Sequence, residues 1–127
     1  MQDGSKRLRI LLLEDHPDTS HALANLLSRE AHRVRCVQTG AEALQAATEQ
    51  SFDLLISDLR LPDISGFDVM RKMKEMYGTI GIAVTGLSSE RDMSQATAAG
   101  FSRYLIKPIL WDVLKRTIAE LVDESRV

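Results

Sequence analysis

Four places in this 127-residue chain carry side chains that could do chemistry together. Glu14 and Asp15 stand side by side after the apolar run "RILLL", Asp58 follows "DLLIS", Thr85 closes "IGIAV", and Lys107-Pro108 follows "SRYLI". Adjacent carboxylates repel, more strongly beside a low-dielectric core. A chain that runs an apolar strand straight into such a pair either leaves it solvated or uses it to hold something positive. If the four runs share one sheet, three carboxylates, a hydroxyl and an ammonium meet on one rim. That set suits a hard divalent cation, most simply magnesium, which takes a few carboxylates with water and phosphate oxygens.

The elements that must position them alternate. Strand-length runs at 8–13, 33–37, 53–57, 80–85 and 102–106 are separated by helical patterns at 17–30, 41–50, 67–77, 91–100 and 110–122. Pro17 suits a first helical turn. Thr39 with Glu42, and Ser89 with Asp92, sit at the spacing of capping boxes. Five strands alternating with five helices predict an α/β fold, a parallel sheet covered on both faces in three layers. The first, third and fourth strands are almost wholly apolar, as doubly buried strands are. Arg33 and Arg35 alternate along the second, which places it at an edge. Right-handed crossovers then favour the order 2-1-3-4-5, a flavodoxin-like (βα)5 arrangement with its site beyond the carboxyl ends of strands 1 and 3.

Composition narrows the rest. The chain reads as one domain over 1–127, with an ordered core at about 8–122. A net charge of -2 gives no basic field for direct nucleic-acid binding, and no apolar run is long enough for membrane contact by a span. No signal-peptide pattern opens the sequence, so a cytoplasmic location is the default expectation. The single cysteine, Cys36, is expected to be a buried thiol. His16 is read as a loop histidine at a helix start, since magnesium prefers oxygen. His21 and His32 are read as surface residues. Met70, Met73 and Met76 are read as the core and flank of the third helix.

In this arrangement the chain resembles the receiver domain of two-component response regulators, over roughly residues 8–122. The resemblance rests on the acidic pair Glu14-Asp15, on Asp58, on Pro62 and Gly66 after it, on Thr85-Gly86, and on Lys107-Pro108, with Tyr104 three residues before the lysine. It implies that Asp58 accepts a phosphoryl group from a histidine kinase or a histidine phosphotransfer domain. It implies that Mg2+ is held by Glu14, Asp15, Asp58 and the backbone carbonyl of Arg60. Lys107 and the Thr85 hydroxyl would bind phosphoryl oxygens, small Gly86 would leave room, and the Lys107–Pro108 bond would be cis. Thr85 and Tyr104 would then shift the face made by the fourth helix, fifth strand and fifth helix, a face also suited to a homodimer. Arg60 and Leu87 flank the site and would hinder attacking water. The stretch from Gly81 to Ile109 is most similar to receivers joined to hybrid sensor kinases.

Plainer readings exist for each residue. Asp58 could open a loop, Glu14 and Asp15 could favour a helix N-terminus, Lys107 could precede a turn, and Thr85 and Tyr104 could be ordinary strand residues. Their joint occurrence at strand ends favours the functional set. A haloacid-dehalogenase-like phosphohydrolase would need an acid two residues after the nucleophile, where Arg60 stands. A flavodoxin-like cofactor binder would need a phosphate loop where the acidic "EDHPDT" stands. A degenerate receiver serving only as an interaction module is the remaining alternative.

Overall fold

A computed structural model describes residues 7–86 and 88–124. The elements are β1 (Arg9–Leu13), α1 (Pro17–Arg29), β2 (Arg33–Val37), α2 (Gly40–Glu49), β3 (Leu54–Ser57), α3 (Gly66–Tyr77), β4 (Ile80–Thr85), α4 (Glu90–Ala99), β5 (Arg103–Ile106) and α5 (Trp111–Glu124). The five strands form one sheet in the order β2-β1-β3-β4-β5, with parallel pairings throughout. The alternation and the edge position of the arginine-bearing strand are therefore as the sequence predicts.

Side chains alternate across a strand, so each sheet face feeds a separate core. Leu11, Leu13, Leu55 and Ala83 pack with Ala43 and Ala46 of α2, Val69, Met70 and Met73 of α3, and Ala96 of α4. Ile10, Leu12, Ile56, Ile82 and Val84 pack with Leu23 and Leu27 of α1 and Leu114, Ile118 and Leu121 of α5. Met76 stands exposed on the flank of α3.

The helix starts follow local chemistry. Pro17 opens α1, and Thr39 and Glu42 form a reciprocal capping box at α2. The Ser89 hydroxyl accepts from the Asp92 N–H at the start of α4. Ser65 caps α3 in the same way by accepting from the Asp68 N–H, so α3 begins one residue before the apolar pattern indicates. Asp63 caps α2 from a distance: its two carboxylate oxygens accept from the N–H groups of Gly40 and Ala41, at 2.9 and 2.8 Å.

Two expectations are corrected. Cys36 is exposed rather than buried, because β2 is an edge strand with a neighbour on only one side. His32 is half-buried and partnered rather than a free surface residue: its Nδ1 accepts the Leu8 N–H at 3.0 Å. Only the imidazole with an unprotonated Nδ1 can accept that bond. Burial pushes the His32 pKa down, against the smaller upward pull of Glu30. A lowered histidine pKa means that the unfolded chain binds the proton more readily. This stability contribution is therefore full above the ordinary value of 6.5 and is lost as pH falls toward the folded-state value. Chemical denaturation at pH 7.5 and pH 5 is expected to show a loss in the wild type. The loss should be smaller in His32→Asn, whose amide oxygen accepts the same bond without titrating.

Candidate functional site

The strand ends converge as the sheet order requires. Each key backbone is pinned one residue beyond its strand. The Glu14 N–H donates to the Val37 carbonyl at 3.1 Å, the Asp58 N–H to the Leu13 carbonyl at 3.0 Å, and the Lys107 N–H to the Thr85 carbonyl at 2.8 Å. The Lys107–Pro108 bond is cis.

Lys107 is the centre of the cluster. Its ammonium donates to Glu14 Oε1 at 2.9 Å and to Asp58 Oδ2 at 2.8 Å. Lys107 therefore joins residues 93 and 49 positions away in the chain. Asp58 Oδ1 accepts the Leu59 N–H at 2.7 Å and, more weakly, the Arg60 N–H at 3.3 Å. Both oxygens of Asp58 are thus held, which fixes the carboxylate plane. The buried Ser57 hydroxyl donates to the Asp58 carbonyl at 2.7 Å and steadies the same residue from behind.

The electrostatics follow from this crowding. Glu14 is 5% exposed, and burial raises its pKa. Hydrogen bonding and charge from Lys107 pull the other way, while the negative charges of Asp58 and Asp15 add to the rise. Burial works against the Lys107 ammonium, but its bonds to Asp58 and Glu14 outweigh that and raise its pKa. Lys107 alone does not satisfy the acids. Glu14 Oε2 and Asp15 Oδ1 are buried without a hydrogen-bond partner. Orphaned buried acceptors are costly, and two of them beside a carboxylate cluster fit a hard divalent cation. Glu14, Asp15 and Asp58 are the side chains that would hold it.

Thr85 is buried at the end of β4, and the register sets it beside Ile106, next to Lys107. A Cβ at Gly86 would meet nothing within 4 Å apart from its chain neighbours, so the space at that position is open. Tyr104 is half-buried against the α2/α3/α4 core. Burial, then the charges of Asp92 and Asp58, raise its pKa. Arg60 is exposed and Pro108 is exposed. Leu87 lies outside the described residues. Beside the cluster, between the first turns of α1 and Ile109, an open groove of about 670 Å3 includes Leu23 and Leu26 with Glu14 and Lys107 on its rim.

Two participants are not evident from sequence patterns: Ser57 and Asp63. Asp63 ties the loop after Asp58 to α2 through a bond 23 residues long, which leaves no local signature. His16 is legible by adjacency alone. Its Nδ1 lies 3.2 Å from Asp15 Oδ1 and 3.7 Å from Glu14 Oε1.

Gly66 is a strict requirement of this loop. Its N–H donates to the Leu59 carbonyl at 2.9 Å, and a Cβ there would run into the backbone of Asp58 and Leu59. Backbone cannot step aside as a flexible side chain can. Gly66→Ala is expected to cost about 1–3 kcal/mol of stability, the usual penalty of overpacking. Urea denaturation measures this, and Gly86→Ala, with open space around it, is the neutral control.

Known proteins share this architecture. The response regulator receiver domain model matches residues 10–119. The sensor protein EvgS of Escherichia coli is 30% identical over 123 residues, 96% of this chain but 10% of that protein. A CheY-like receiver domain protein from Methanospirillum hungatei superposes with a TM-score of 0.90 at 28% identity, covering 95% of this chain and 98% of that one. The receiver domain of a sensor histidine kinase from Pseudomonas aeruginosa, solved with a magnesium ion coordinated in its active site cleft, gives 0.80 at 28% identity, covering 91% and 97%. With the matched segment running from β1 into α5, and the acids and lysine at the strand ends, this chain belongs to the response regulator receiver domain family.

Proposed function

We propose that the chain is a phosphoacceptor switch in which Asp58 takes a phosphoryl group from a phosphohistidine of a histidine kinase or phosphotransfer domain. The observation that carries the reading is the Lys107 ammonium bridging Asp58 and Glu14 beside two orphaned carboxylate oxygens. A carboxylate oxygen of Asp58 forms the new O–P bond as the donor's P–N bond breaks, and the imidazole leaves. The result is an acyl phosphate. Little covalent chemistry is asked of the protein in such a transfer. Positioning and charge neutralisation carry it. The Leu59 and Arg60 N–H groups hold the attacking carboxylate, and Lys107 meets the added charge. Glu14, Asp15, Asp58 and the Arg60 backbone carbonyl would hold Mg2+, which would supply charge neutralisation at the phosphoryl oxygens. The groove between α1 and Ile109 supports approach of a donor from that side.

The readout we propose begins at Thr85, whose hydroxyl hydrogen-bonds a phosphoryl oxygen, and passes to Tyr104. Thr85 and Lys107 belong to adjacent strands, so one phosphoryl group pulls on both β4 and β5. Met93, Ile106, Leu110 and Val113 leave apolar surface exposed on α4, β5 and the start of α5, which supports this face as the output and a homodimer surface. The chain spans about a tenth of the length of relatives such as EvgS, and we infer a place within, or partnered with, a hybrid histidine kinase. No helix of the described residues is long and apolar enough to cross a membrane.

Intact mass after incubation with acetyl phosphate tests the reading. The expected result is a gain of one phosphoryl group that requires Mg2+ and disappears in Asp58→Asn. No gain under any condition would leave a degenerate receiver that acts only as an interaction module.

A further inference from the structure

His16 goes beyond that reading, although it rests on the same cation site. It occupies the N-cap position of α1, where Ser, Thr, Asp and Asn are favoured because their side chains accept first-turn N–H groups. His16 makes no such bond. Its ring turns toward the acids instead, with Nδ1 3.2 Å from Asp15 Oδ1 and 3.7 Å from Glu14 Oε1. The shorter contact is not a hydrogen bond, since Asp15 Oδ1 is buried without a partner. Glu14, 5% exposed, has its Oε2 in the same condition. One ligand atom from each of Glu14, Asp15 and His16 falls within 4.8 Å of the others. Ligand atoms about 2.0–2.2 Å from one shared ion stand roughly 3–3.5 Å apart; the His16–Asp15 separation falls in that range, and the His16–Glu14 separation, to the oxygen that also accepts from Lys107, is slightly longer.

We propose that His16 is a nitrogen ligand of this cation site. An oxygen-only set suits magnesium, whereas imidazole suits the borderline ions cobalt, nickel and zinc. The site would therefore favour those ions over magnesium by more than its carboxylates alone provide, and His16 would set the margin.

Calorimetric titration of the full chain with Co2+ alone and with Mg2+ alone tests this, in the wild type, His16→Gln and Asp15→Asn. The His16 side chain is 71% exposed, so its replacement does not threaten the fold. The Co2+ affinity of His16→Gln is expected to fall by at least the roughly tenfold that even an outer-shell partner contributes. Its Mg2+ affinity should move much less. A hyperfine-shifted imidazole N–H resonance of the Co2+-loaded wild type should vanish in His16→Gln. An unchanged Co2+ to Mg2+ ratio, or a shifted resonance that persists in His16→Gln, would overturn the proposal while Asp15-dependent Mg2+ binding stood. Mg2+ binding indifferent to Asp15→Asn would overturn the cation site itself, and this proposal with it.

Discussion

Asp15→Asn is expected to stabilise the cation-free protein while removing most of its Mg2+ affinity. Glu14, Asp15 and Asp58 crowd one rim with one ammonium, Lys107, bridging two of them. Two unit charges about 6 Å apart repel by roughly 3 kcal/mol at an effective dielectric of about 20, an upper bound for groups in contact with water. Asp15 keeps 34% of its side chain exposed, so screening reduces the gain to about 1 kcal/mol. The raised pKa of Glu14 has the same origin in part: burial first, with Asp58 and Asp15 adding to it. The sign follows from linkage. An acid whose folded pKa is raised contributes stability at pH below its ordinary value of 4.5 and loses it as pH rises through the folded value. At neutral pH the ionised Glu14 is therefore held at a cost in the absence of a cation, and the charge of Asp15 adds to that cost. Thermal unfolding in chelator should place Asp15→Asn above the wild type. Saturating Mg2+ should reverse the order, because a ligand stabilises only the form that binds it. A variant that lost stability in chelator would show that Asp15 is a structural residue.

Lys107→Ala is expected to act in the opposite direction. It leaves Glu14, 7% exposed at its side chain, and Asp58, 12% exposed, without their shared cation. Breaking a fully buried pair by removing one partner costs about 3–5 kcal/mol. Lys107 is 27% exposed, and Glu14 can relieve the charge by taking a proton, so about 2 kcal/mol is the expected loss. The Glu14 carboxyl should titrate higher still in this variant, which carbon-detected NMR would follow. Phosphoryl uptake from acetyl phosphate should slow on the order of tenfold to a hundredfold, at or below the cost of removing one oxyanion-hole donor. Lys107→Arg should recover stability better than phosphoryl uptake, because the planar guanidinium cannot place a compact charge where the ammonium sits.

Much of this architecture is legible in the amino-acid sequence, and the reason is physical. Periodicity and caps are local, so the alternation of elements and the capping role of Thr39 can be read from neighbours in the chain. The alternating Arg33 and Arg35 mark an edge, and the edge fixes the order. The order then brings Asp15, Asp58 and Lys107 together, since parallel strands must end on one rim. Interactions that span the fold leave no such trace. The Leu8–His32 bond crosses 24 residues, and the Asp63 cap on α2 crosses 22 and 23. The burial expected of Cys36 fails because composition reports how often a thiol is buried, whereas exposure at an edge strand depends on what covers it. Ser57 reads as one more strand residue, and only its bond to the Asp58 carbonyl shows its part in holding the loop.

The most direct measurement locates the phosphoryl group. Borohydride reduces an acyl phosphate of aspartate to homoserine, so peptide mapping after acetyl phosphate, Mg2+ and borohydride names the acceptor. Homoserine at position 58, absent when Mg2+ is chelated, is the predicted result. Homoserine at position 15, or a phosphoryl group on a hydroxyl with position 58 intact, would contradict the assignment of Asp58 as the acceptor.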